Sequence, residues 1–332
     1  MANETETIDF SDPALLDRLA IATPRGQLAA MFGLGGELYI APYDRAQLRL
    51  DMLDVQEDYY RRFKGNLDRC RFPSQAKPDG QIVTLKGENP FPMIREVMGH
   101  WPADRSYGNN LFKRYVHPDF RRNAGSVTPW LSDFMVAAER QDALSFLDFH
   151  LPIGDGLGVL HFDTLRECML DWATRLKPAH GQGGFSVILE IGSIWAEPYV
   201  YATLQRHPGF DIHEPVAFKS ETRGIFNRIK CVNWLTVLGE PILEELGGLD
   251  TARKALEPDC MLHPYPGGVL IQAGPVPQLG DSFNGLIPET YRKVARFTRP
   301  VRFEGYSQSG LFRVFEPLEE RDEVLKWIAR FD

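Results

Sequence analysis

The residues with the most chemical potential in this chain are Asp148, His150, His161 and Asp163, two histidines and two aspartates close together in sequence. Imidazole and carboxylate are common transition-metal ligands and common acid–base groups. His150 and His161 fall in two runs, 143–151 and 157–162, that read as strands joined by the turn signal PIGDG. A hairpin of that kind would let the two rings face each other. The spacing matches no HExxH-type metal motif, and a structural histidine pair is the simpler reading. The sequence therefore assigns no metal, no cofactor and no catalytic residue. A small-molecule enzyme or binding protein using the His150/His161 region is the alternative.

Other chemical devices are missing from the sequence. Gly154, Gly156 and Gly158 precede a strand rather than a helix, so they are not spaced to cradle a phosphate. There is no GxSxG elbow and no SxxK motif. Cys70, Cys168, Cys231 and Cys260 are far apart and form no CxxC pair, as expected of reduced, buried thiols. Nothing in this inventory asks for an enzyme.

The elements that must position these residues follow from periodicity. Residues 43–64 read as a helix capped by Asp44, with Leu48, Met52, Val55, Tyr59 and Phe63 on one buried stripe. Asp51, Asp54, Glu57 and Asp58 are expected on its solvated side, where they are the candidate partner-binding residues. The stretch 66–123 is irregular, interrupted by a strand at 82–86. After the hairpin, a helix to Leu176 has Leu165, Cys168, Met169 and Trp172 inward. The glycines of HGQGG stop it before a strand over 185–191. Helices at 197–206, 288–297 and 319–331 and a strand at 311–315 complete the reading. Without a strict βαβ rhythm, the fold class is α+β, mainly antiparallel sheet flanked by helices. The plan admits two similar strand–helix–strand halves. Residues 1–36 read as an acidic leader with a short helix, and 37–332 as a single domain with sub-halves 37–140 and 141–332.

The net charge is −8. Residues 1–60 carry 11 acidic against 4 basic side chains, whereas 61–122 carry 6 against 13. Without aromatic residues interleaved in it, the basic block reads as a partner for neighbouring acidic surface rather than for nucleic acid. No window is apolar for long enough to span a membrane, and the polar start MANETETIDF has no signal-peptide character. A cytoplasmic protein without direct nucleic-acid or membrane contact is expected.

The most distinctive stretch is 229–285. Its run IKCVNWLT is followed by Leu238-Gly239, Leu246-Gly247-Gly248, the run GGVLIQAG at 267–274, and Leu279-Gly280-Asp281. Beyond it come Pro288 and YRKVA at 291–295. This pattern resembles a family of type VI secretion immunity proteins associated with VRR-type nuclease effectors. The resemblance implies an antitoxin that binds its cognate nuclease effector and neutralises it without chemistry of its own. It transfers no catalytic residue. Its matching positions read as architectural: Gly247-Gly248 a helix C-cap, Gly267-Gly268 a turn, Asn233 a side-chain-to-backbone bond.

Overall fold

The computed structural model describes residues 20–74, 76–115, 127–139, 141–152, 161–189 and 194–332. In chain order these form β1 (Ala20–Ala22), β2 (Leu28–Ile40), α1 (Arg45–Phe63), β3 (Arg69–Phe72), β4 (Gln81–Thr84) and α2 (Phe91–Gly99). Next come β5 (Tyr107–Tyr115), β6 (Val127–Val136), β7 (Ser145–Leu151), α3 (Phe162–Leu176), β8 (His180–Ile188), α4 (Glu197–Arg206), β9 (Asp211–Ile212) and α5 (Pro215–Glu221). The last third holds β10 (Leu235–Gly239), α6 (Glu240–Glu245), α7 (Gly248–Leu256), β11 (Met261–Tyr265), β12 (Gly268–Gln272), α8 (Glu289–Thr298) and α9 (Glu320–Ile328).

All the strands join one sheet in the order β11-β12-β10-β8-β2-β7-β6-β5-β3-β4, with β1 beside β2 and β9 beside β8. Every pairing is antiparallel except β8 with β9. The α+β, mainly antiparallel class expected from the sequence is the class observed. β2, β7 and β8 are buried at every position, because helices and loops cover both faces of the sheet's centre. α1 and α3 cover one face. Trp172 of α3 lies edge-on to Phe149 at 4.7 Å and tilted against Tyr59 of α1 at 6.2 Å. On the other face Phe218 of α5 packs on Tyr39 at 4.9 Å, whereas Phe210 stacks on Phe32 at 4.3 Å on the α3 side, where Phe185 links it to Phe162. One apolar cluster runs from Ala30 to Phe331, so the two ends of the described chain share a core.

Asp44 caps α1 as expected, its carboxylate accepting from the Ala46 and Gln47 amides. Four local readings change. β2 starts at Leu28 and runs straight through residues 36 and 37. The irregular stretch 66–123 holds β3, α2 and β5 as well as the expected strand. Residues 311–315 contain no strand; Leu311 and Phe312 are buried bends, with Phe312 edge-on to Trp327 of α9 at 5.7 Å. The glycines of HGQGG lie inside β8 rather than before it, because a neighbour occupies the space of a missing side chain: a Cβ on Gly184 would collide with the Asn233 amide. The second arm of the expected hairpin, 157–160, and most of the leader lie outside the described residues. No helix among the described residues is long and apolar enough to cross a membrane.

Candidate functional site

Strand pairing places polar residues directly opposite one another across seven adjacent strands: Arg71, Asn110, Asp133, Asp148, Glu37, Gln182 and Thr236. Because strand residues alternate between faces, this row belongs to the face away from α1 and α3. It starts at solvent with Arg71 and descends into the core, where Glu37 and Gln182 are fully buried.

At its buried end, Lys230 brings its ammonium to 2.5 Å from Glu37 and 3.4 Å from Asp211, and donates to the Ile212 carbonyl at 2.8 Å. Gln182 and Tyr39 also donate to Glu37. Burial alone would lower the lysine pKa, but Asp211 and Glu37 outweigh it and hold the ammonium charged. Burial pushes the Glu37 carboxyl up, against the pull of Lys230. The three groups form a closed ion cluster that water does not reach.

Two positions along, Asp148 and His150 stand at i and i+2 on β7 and so share a face. Asp148 Oδ1 lies 2.6 Å from Nδ1 of His213, which follows β9. His150 Nε2 lies 3.2 Å from the same His213 nitrogen and 3.8 Å from Asp148 Oδ1. Gly35 makes room for this ring, since a Cβ there would collide with His213 Cε1. Desolvation opposes ionisation of Asp148, but His213 and His150 more than offset it and hold its pKa low. Desolvation drives His150 down to about 4, so it is neutral.

Above the triad opens a cleft of about 460 Å³ lined by Asp133, Asp148, His150, His213 and Glu214, with Ile194 and Val216 at its exposed edge. Asp133 also borders a second hollow of about 300 Å³ beside Arg71. Burial and the neighbouring Asp148 push Asp133 up to about 8.

The structure overturns the expected His150/His161 pair. His161 precedes α3 and lies edge-on to Trp130 at 5.7 Å. Trp130 precedes Leu131, the residue opposite His150, so the two histidines sit on opposite faces of the sheet. His213, in a short connecting segment without a motif, was not legible as the partner. Glu37 and Lys230 each stand as a lone charge inside an apolar run, which is the one sequence signal that marks them.

The acidic positions of α1 are engaged within the molecule. Asp51 accepts from Tyr43 at 2.7 Å and Gln47 at 2.8 Å. Arg95 of α2 bridges Asp54 and Glu57, each at 2.6 Å. Asp58 points inward, 9% exposed, accepting from Trp172 at 3.0 Å and Arg62 at 2.8 Å. Burial works to raise the Asp58 pKa, and these two bonds outweigh it.

A pH prediction arises beside Glu214 of the cleft wall. Glu197 accepts from the Arg313 amide at 2.7 Å and faces Glu214, Arg313 and Glu320. Burial raises it from 4.5 to about 7. A raised acid holds its proton in the folded state, so its contribution to stability is full below about pH 4.5 and is lost as pH rises through about 7. Glu197→Gln should flatten the fall in melting temperature across that window; an unchanged slope would clear Glu197 of the effect.

No curated protein sequence matches the chain. A solved Pseudomonas aeruginosa T6SS protein, PA0821, superposes with a TM-score of 0.76 over 96% of this chain and 90% of its own, at 24% identity, which establishes likeness of fold. Residues 127–331, from β6 to just past α9, match the family described as TsiV, type VI immunity for VRR-NUC. That span covers more than half of the chain, and the chain belongs to this family of type VI immunity proteins.

Proposed function

We propose that this protein binds a VRR-NUC nuclease effector in the cytoplasm and neutralises it non-covalently, by occluding its active site or DNA groove, without catalysis of its own. The observation that carries the reading is the family match over 127–331. Electrostatics support it: a chain of net charge −8 complements the basic groove that a DNA-cutting enzyme needs. The α1 face of Asp51, Asp54 and Glu57 is the proposed contact, with Asp54 the most accessible, and the inward-pointing Asp58 supports that face from beneath.

The test is a DNA-cleavage assay of a purified VRR-NUC effector titrated with this protein. Cleavage is expected to stop near a 1:1 ratio, and undiminished cleavage in molar excess would remove the function. Reversing charge at Asp54 and Glu57 to lysine should weaken binding by about tenfold and flatten its salt dependence. Unchanged affinity with unchanged salt dependence would move the interface off α1.

A further inference from the structure

We infer that Asp148, His150 and His213 form a binding site for a divalent first-row transition-metal ion, with an open coordination side toward the cleft. This inference is independent of the nuclease reading, and nothing in the immunity function requires it. It rests on convergence. The three ligand atoms are separated by 2.6, 3.2 and 3.8 Å, distances that place them on a circle of radius about 1.9 Å. An ion at the usual bond length of about 2.0–2.1 Å from imidazole nitrogen and carboxylate oxygen fits just above the plane of that circle.

Proton counting points the same way. His213 Nδ1 carries at most one proton, and the 2.6 Å contact commits it to Asp148. His150 Nε2, at 3.2 Å from the same nitrogen, can only share that proton or oppose it, and at 3.8 Å it is beyond hydrogen-bond reach of Asp148. Three potential ligand atoms therefore converge on a position where at best a single proton is shared among them, and a metal ion that displaces it bonds to all three. The cluster is also preorganised. Two ligands stand at i and i+2 on a central strand, and the missing Cβ of Gly35 seats the third.

The neighbouring convergence of Glu37, Asp211 and His213 is different, because the Lys230 ammonium already serves its carboxylates as the cation. Two imidazoles with one carboxylate suit zinc, cobalt, nickel or ferrous iron rather than magnesium or calcium, which prefer all-oxygen shells. The cleft leaves the remaining positions to water or to an incoming group, with Asp133 and Glu214 on its wall. Among the described residues His213 Nε2 has no hydrogen-bond partner, so none of them supplies the outer contact that stiffens tight-binding histidines. Affinity in the micromolar range is expected rather than the far tighter binding of a structural zinc site.

The experiment uses the full chain, stripped with a chelator and titrated with Co2+ and then Zn2+. One Co2+ per chain is expected, with a visible absorption band that Zn2+ displaces. His150→Gln and His213→Gln should each weaken binding by about 10–100-fold, whereas His161→Gln should bind like the wild type. Circular dichroism checks that the variants fold. If they do not, paramagnetic shifts of the His150 and His213 ring resonances in the wild-type protein identify the ligands directly. No binding of either ion in molar excess, ring resonances unshifted by bound Co2+, or full binding by a folded His213→Gln variant would each overturn the site.

Discussion

Lys230→Met should lower the stability of the fold by about 3–5 kcal/mol, read by urea unfolding at neutral pH. The ammonium is fully buried, 2.5 Å from Glu37 and 3.4 Å from Asp211, and no water can replace it. Removing it strands two carboxylates in a medium where an unpaired charge is heavily penalised. The loss therefore measures the uncompensated acids more than the ion pair itself. Adding Glu37→Gln removes one of those acids and keeps an acceptor for Gln182 and Tyr39. The double variant should thus recover part of the loss, about 1–2 kcal/mol. A single-variant loss under about 1 kcal/mol would mean that the cluster does not depend on the ammonium's charge.

That cluster also shows where sequence reading stops. The stripe of Leu48, Met52, Val55, Tyr59 and Phe63 was legible because a helix repeats its buried face every three or four residues and the cap sits next to it in sequence. The hairpin around Gly267 and the bond from Asn233 to its neighbouring amide were legible for the same reason: both are local. Strand order is not local. β2 lies between β7 and β8, so Glu37 meets Asp148 on one side and Gln182 on the other, across more than a hundred residues. The row of polar residues exists only once the register is set, and a shift by one position would turn each strand's contribution to the other face. His150 was identified as chemically promising from its type, but its true partner came from a segment without periodicity. The glycines of β8 misled for a related reason: they read locally as breakers, while Gly184 admits the side chain of distant Asn233 and Gly181 lies close against the Glu37 carbonyl of β2.

The second large effect concerns Trp172. Trp172→Ala should lower stability by about 3–5 kcal/mol, since the ring is fully buried between Phe149 and Tyr59 and its loss opens a cavity between α1, α3 and the sheet. Trp172→Phe keeps most of the ring and removes the indole donor 3.0 Å from Asp58, so about 1–2 kcal/mol is expected. The same geometry divides the acidic face of α1. Asp58→Asn weakens two charge-assisted bonds of a nearly buried carboxylate and should reduce stability by about 1–3 kcal/mol. Asp54→Asn disturbs only an exposed ion pair with Arg95 and should stay within about 0.5 kcal/mol. Measured beside effector affinity, the two variants separate support from contact. If α1 meets the effector, Asp54→Asn weakens binding at unchanged stability, and Asp58→Asn acts on binding chiefly through the fold. Affinity unmoved by Asp54→Asn and reduced by Asp58→Asn at unchanged stability would assign the contact to the Asp58 edge, toward Arg62 and α3.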